Sequence, residues 1–205
     1  MNNRKKKYKK LKRTIGIVIC HGKTEYLMIR YIVSNLHLKM EKDARDHGEH
    51  SIQITSIINF LKSSPYKNRK AFIEKFLSDG SELDDLDNFK VFIVMDTDDC
   101  TEKEKQDFIS KEMFKKHWLY PYIEPIYNSE NIDDVFLEAN INTRKISDDE
   151  KGTYYTEIFP INSEPLSLNT IQEIETFRDK LKSVNKTSSN LIDLVTYCLD
   201  RAEKI

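Results

Sequence analysis

The segment Val91-Phe-Ile-Val-Met-Asp-Thr-Asp-Asp99 sets five apolar residues directly before a cluster of three carboxylates. A short unbroken apolar run reads as a strand buried on both faces, the state of a strand inside a parallel sheet. The carboxylates then stand where that strand leaves the sheet. In open α/β sheets ligands bind at that edge, beyond the carboxyl ends of the strands. Asp96 and Asp98 are two positions apart and share one side of an extended backbone. Two carboxylates on one side suit a hard cation such as Mg²⁺ or Mn²⁺. The same stretch also reads as a strand end that opens a helix, because Asp-Thr-Asp-Asp-Cys-Thr is rich in capping side chains.

A second segment has the same form. Thr14-Ile-Gly-Ile-Val-Ile-Cys20 is another buried-strand run, followed by His21-Gly22-Lys23-Thr24-Glu25. Tyr26 to Leu36 continues with Leu27, Ile29, Tyr31, Ile32 and Leu36 at helical spacing. The order is strand, glycine turn, helix, connection, and then a strand ending in Asp-x-Asp-Asp. This order and these motifs resemble the Toprim domain, the metal-binding module of topoisomerases and primases. More narrowly, they are similar to the Toprim domains of OLD-type nucleases and small defence-associated relatives. In those domains the first strand ends in Glu-Gly-x-Thr-Glu and a later one in Asp-x-Asp. The matching residues are His21-Gly22-Lys23-Thr24-Glu25 and Asp96-Thr97-Asp98, and the resemblance covers roughly residues 12 to 140.

The resemblance implies an α/β, Rossmann-like Toprim fold with a mostly parallel central sheet flanked by helices. It implies metal-dependent hydrolysis of phosphodiester bonds in DNA or RNA, with Mg²⁺ or Mn²⁺ held by Asp96 and Asp98, aided by Asp99 or Glu25. It also implies a setting in defence against phage or mobile elements, often beside an ATPase partner chain. One position departs from the pattern. The family's Glu before the glycine is His21, which can act as base or ligand because imidazole titrates near neutrality. The same substitution suits a domain that binds without cutting. Glu25 and His21 are the expected proton-handling residues. Lys23 is the expected phosphate contact at a glycine turn opening a helix, a place that favours anions. Glu25 in a first helical turn also favours the helix dipole. Neither a complete P-loop nor a dinucleotide-binding glycine pattern is present. Asn128, Glu130 and Asp133 occupy the region where relatives complete the site with an Asn and an acid.

Charge is distributed unevenly. Eight of the 33 basic residues fall between Arg4 and Arg13, with no acid among them, so the remainder carries 25 basic against 34 acidic residues. Such an arm, with Arg4, Lys5, Lys6, Lys7, Lys9 and Lys10, suits phosphate neutralisation, and equally a solvated tail. No apolar run has transmembrane length, and the basic start leads into no signal-peptide pattern, so a cytoplasmic protein without membrane contact is expected. Cys20, Cys100 and Cys198 make neither a zinc motif nor a disulfide framework, which suits a reducing compartment.

The expected organisation is a basic arm at 1–13, a Toprim-like domain at 14–140, and a C-terminal connection with two helices at 141–205. Leu36-His-Leu-Lys-Met40 alternates as a short strand would. Glu41 to His50 reads as a polar loop with His47 and His50, expected on the same side as the acidic cluster if the sheet is ordered as in Toprim folds. Two helices within 51–79 read as an insertion, a lid or a specificity element, followed by an acidic linker from Gly80 to Asn88. Glu102 to Lys116 is helical. The aromatic, proline-punctuated stretch Trp118 to Tyr127 contains an edge strand, Ile123 to Tyr127, since proline is confined to edges and strand ends. A short helix spans Ile132 to Glu138. Residues 140–165 read as an irregular connection. Helices follow at Ser167–Ser183 and Ser188–Ala202, the latter with an apolar face that packs on the sheet or meets a partner, so an oligomer is open.

Overall fold

The structure is a computed structural model of the chain, and it describes residues 14–77, 89–162 and 165–202. The basic arm and the acidic linker lie outside the described residues. Among the described residues four strands form one sheet: β1 (Gly16–Cys20), β2 (Met40–Asp43), β3 (Lys90–Asp96) and β4 (Ile123–Asn128). Their order is β2-β1-β3-β4 and every pairing is parallel. The two apolar runs lie side by side, with Gly16 opposite Lys90 and Cys20 opposite Val94. All carboxyl ends therefore emerge at one edge, where Asp96 faces Asn128 across the β3–β4 pairing.

Both faces of the sheet are covered, as the unbroken apolar strands require. Val18, Cys20, Phe92, Val94 and Ile126 pack under α1 (Lys23–Asn35), α5 (Ile132–Glu138), α6 (Asp148–Ile158), α7 (Leu168–Leu181) and α8 (Leu191–Arg201). Ile17, Ile19, Val91, Ile93 and Met95 face the other way, against α2 (Ile54–Leu61), α3 (Arg69–Phe76) and α4 (Glu102–Ile109). The result is a Rossmann-like α/β fold with an all-parallel sheet between helical layers. Strand β4 is an edge strand, as its Pro125 requires. Its outer side is sealed by Asn190, whose side chain accepts from Tyr127 N–H (2.8 Å) and donates to Pro125 C=O (3.0 Å).

Two segments differ from the sequence expectation. Leu36-His-Leu38 is not strand but the closure of α1. His37 adopts φ +52°, and the amides of His37 and Leu38 bond back to the carbonyls of Ser34 and Val33. That is the Schellman arrangement, which mimics strand alternation in sequence because it too brings apolar residues together. Strand β2 starts later, at Met40 opposite Gly16. The stretch 140–165 is not irregular throughout, since it contains α6. The Glu150 carboxylate accepts the Ser147 hydroxyl (2.8 Å), as in a capping box, and takes both ends of the Arg144 guanidinium (3.0 Å each). The two helices expected within 51–79 form as α2 and α3, and they cover one face of the sheet. Phe72 of α3 is fully buried, with its ring against Phe76, Trp118, Tyr66 and Phe89 at 5.0, 5.2, 6.1 and 6.2 Å.

A helix pair that completes the core unfolds with it. Phe72→Ala is expected to cost about 3–5 kcal/mol, the range for emptying a buried phenylalanine site. Calorimetry should show one cooperative transition at lower temperature. A separate early transition with the main one unmoved would make the α2–α3 segment an independent lid.

Candidate functional site

The carboxyl ends of β1 and β3 and the first turns of α1, α5 and α6 surround a cleft of about 510 Å³. Its charged and polar lining includes His21, Lys23, Glu25, Asp96, Asp133 and Lys151. These positions span 130 residues of chain and meet only because the strands are parallel and end together.

Glu25 sits in the first turn of α1, three residues after the N-cap Gly22. One carboxylate oxygen accepts the Gly22 N–H at 3.0 Å, satisfying an amide that the helix itself leaves open. The other oxygen, Oε1, is buried and has no hydrogen-bond partner. The residue is 2% exposed, and burial pushes its pKa up to about 7. Backbone hydrogen bonds pull the other way, the Asp133 charge adds to the rise, and Lys151 opposes it. Asp96, 6% exposed, closes β3. Burial first, and then the Glu25 charge, raise it well above the ordinary carboxylate range, while His21 and the Asn128 amide partly offset them. Asn128 Nδ2 donates to Asp96 Oδ1 at 2.8 Å.

His21 is doubly bound to Ile52. Its carbonyl accepts the Ile52 N–H (2.8 Å), and its Nδ1 lies 2.9 Å from the Ile52 carbonyl. A carbonyl only accepts, so Nδ1 carries a proton and donates to it. Lys23 reaches Glu49 at 2.6 Å, an ion pair between half-exposed groups that contributes little to stability but occupies the lysine. Glu49 is brought there by Gly48, at φ +92°, where a Cβ would lie 2.7 Å from the Lys23 Cα. No other residue fits that approach. The loop after β2 thus reaches the cleft through Gly48 and Glu49. Its histidines do not line it: His47 packs against Tyr26 and His50 faces Asp46 at 3.7 Å.

Asp98 and Asp99 are exposed and are not part of the cleft lining. The extended geometry that would align Asp98 with Asp96 stops at Asp96. Beyond it, Thr97 N–H bonds the carbonyls of Asn128 and Glu130, and its hydroxyl bonds that of Ser129 at 2.5 Å. The backbone turns there. Glu130 is exposed and enters through its carbonyl alone. Asn128 is fully buried behind Asp96, and Asp133 lines the cleft. Arg4, Lys5, Lys6, Lys7, Lys9 and Lys10 lie outside the described residues.

Lys151, on α6, is the residue that sequence reasoning missed. Its ammonium lies 3.0 Å from Asp133 and 2.8 Å from Asp148. Burial works against its charge, but the two carboxylates outweigh burial and hold its pKa above the ordinary lysine value. Asp133 also accepts the Tyr155 hydroxyl, and Asn142 donates to that hydroxyl at 2.6 Å. The usable signal was Ser147-Asp-Asp-Glu150, a helix-start pattern that places Lys151 in the first turn.

Hard oxygen donors from two buried carboxyls, one with an unpartnered oxygen, fit Mg²⁺ or Mn²⁺. Among the described residues no group of three His, Cys, Asp or Glu side chains stands ready to hold an ion alone. One or two carboxylates completed by water and substrate phosphate is the usual Mg²⁺ arrangement. No known protein family, curated protein or solved structure matches the chain.

The raised Glu25 pKa makes stability pH-dependent. Between about 4.5 and about 7 the unfolded chain releases this proton while the folded chain keeps it, so Glu25 makes metal-free stability fall as pH rises. The contribution is on the order of 3 kcal/mol across that window. Glu25→Gln keeps the Gly22 bond and removes the charge. Its melting temperature at pH 7.5 should exceed that of the wild type, with the gap closing by pH 4.5. An equal gap at both pH values would show that Glu25 does not titrate there.

Proposed function

We propose that the chain is a divalent-metal-dependent nuclease of the Toprim type, hydrolysing phosphodiester bonds of DNA or RNA. The observation that carries this reading is the pair of buried carboxyls, Glu25 and Asp96, on a cleft flanked by Lys23 and Lys151. A bound Mg²⁺ or Mn²⁺ would supply Lewis-acid stabilisation of the phosphoryl oxygens and lower the pKa of a water. Glu25 and Asp96 would hold it. His21, anchored through Nδ1, offers Nε2 to take a proton from the attacking water. Lys23 and Lys151 neutralise phosphate charge, exchanging the carboxylates that hold them in the free protein for substrate oxygens. The basic arm extends the contact along the backbone of the nucleic acid. The motifs shared with defence-associated Toprim proteins support a cytoplasmic role against phage or mobile elements, with an ATPase partner chain supplying any energy coupling. No described helix is long and apolar enough to cross a membrane.

A specific observation also favours a second reading, a Toprim-fold binding module acting through a protein partner. Asp98 and Asp99 stand outside the cleft, and His21 replaces the acid of the related motif.

Asp96→Asn keeps the side chain's shape and removes one charge. With Mg²⁺ or Mn²⁺ and single-stranded, duplex and structured DNA and RNA as substrates, it should lower cleavage about a hundredfold or more. Metal should raise the melting temperature of the wild type and much less that of the variant. A wild type that cuts nothing and melts indifferently to millimolar metal would transfer the assignment to the binding module. Deleting residues 1–13 should flatten the dependence of log K on log salt by about 0.9 for each duplex phosphate that the arm neutralises. An unchanged slope would make the arm a bystander.

A further inference from the structure

The Asn128 amide beside Asp96 can be turned in two ways, and only one presents an N–H to the carboxylate. The choice is made by a residue 61 positions further along the chain. Ser189 Oγ lies 3.0 Å from Asn128 Oδ1 and 3.0 Å from the Leu191 amide. Leu191 opens α8, and its N–H is one of the first-turn amides that a helix cannot satisfy internally. That N–H donates into a Ser189 lone pair. A serine hydroxyl has a single hydrogen, which is thereby left for Asn128 Oδ1. With its oxygen engaged, Asn128 turns Nδ2 toward Asp96. The direction of each bond is set by the one before it, from the α8 backbone to the β3 carboxylate. Ser189, Asn128 and Asp96 are all buried, which limits water's access to reverse the order.

The surrounding backbone holds this path in register. Asn128 and Ser189 form an antiparallel bridge, Ser129 N–H bonds Ser188 C=O at 2.6 Å, and Asn190 spans Pro125 and Tyr127. The C-terminal segment thus lies along the outer edge of β4 at the point where β4 meets the site.

We propose that Ser189 is a positioning residue for the cleft. By donating to Asn128 it orders the amide that engages Asp96 Oδ1, and so leaves Asp96 Oδ2 directed to the ion or substrate. The inference rests on the nuclease reading and assigns the C-terminal helix a part in it. Without the Ser189 hydroxyl the amide is oriented by Asp96 alone, and its side-chain hydrogen bond to Asp96 Oδ1 is held less firmly.

The test is metal-dependent cleavage by the full chain, with Mn²⁺ titrated, for the wild type and for Ser189→Ala, Ser189→Thr and Ser189→Cys. Ser189→Ala should lower kcat about tenfold to a hundredfold, the effect of losing a hydrogen bond to a charged group. KM for nucleic acid should stay unchanged, and the Mn²⁺ concentration for half-maximal rate should rise. Ser189→Thr, which keeps a hydroxyl, should recover most of the rate, with Ser189→Cys between Thr and Ala. Ser188→Ala, which leaves its backbone carbonyl in place, should match the wild type. Equal losses in the Ala and Thr variants, tracking a lowered melting temperature, would reduce Ser189 to a packing residue and overturn the proposal. So would a Ser189→Ala protein with wild-type kcat while Asp96→Asn is inactive; that result leaves the nuclease reading standing. A wild type without metal-dependent cleavage would remove that reading and this inference together.

Discussion

Two acidic side chains that repel one another are buried at the same sheet edge, and much of the surrounding structure exists to hold them there. The parallel pairing of β1 and β3 makes the meeting unavoidable. It delivers Glu25, one turn into the helix after β1, and Asp96, the last residue of β3, to one place. Ionised carboxylates in a low-dielectric site are costly unless each finds donors or a cation. Asp96 has the Asn128 amide and Glu25 the Gly22 N–H, and Lys151 stands nearby. These donors do not fully compensate, as the raised pKa of both groups shows. The surplus negative charge is what a divalent cation would neutralise.

The strands and several helices were legible because burial writes itself into sequence. Val91 to Met95 and Ile17 to Cys20 are apolar on both faces, and the structure buries both faces. The helix expected over Ile132 to Glu138 has those bounds as α5. The site was legible only as far as the strands that build it. Asp96 could be placed because it ends a strand, whereas Asp98 could not, because its direction depends on Thr97 bonding to the turn after β4. Such bonds join residues more than 30 positions apart and leave no local periodicity. Helix α6 was hidden for a related reason. Tyr155 is its only buried side chain, so no apolar stripe runs along it.

That thinly buried helix is also what brings Lys151 to the cleft. Asp133 ties it to α5 through the ion pair with Lys151 and the bond from Tyr155, a polar network beside the ring contact of Phe136 with Tyr155. A network of this kind is directional where apolar packing is not. It holds the lysine between Asp133 and Asp148 at the start of α6. Lys23 is held in the same fashion by Glu49, and its ammonium lies close against Gly152 of α6. Both cations are thus ion-paired with carboxylates other than Glu25 and Asp96.

His21 is best understood through this charge balance. A third acid at its position would add negative charge beside two carboxyls that are already strained. The imidazole adds none, and its effect on Asp96 is to favour the ionised form, the form that binds metal. Its attachment to Ile52 makes the ring a fixed wall of the cleft and leaves Nε2 as its remaining functional atom. Histidine at this position is therefore compatible with the proposed nuclease reading, in which Glu25 and Asp96 would hold the ion and His21 would accept a proton.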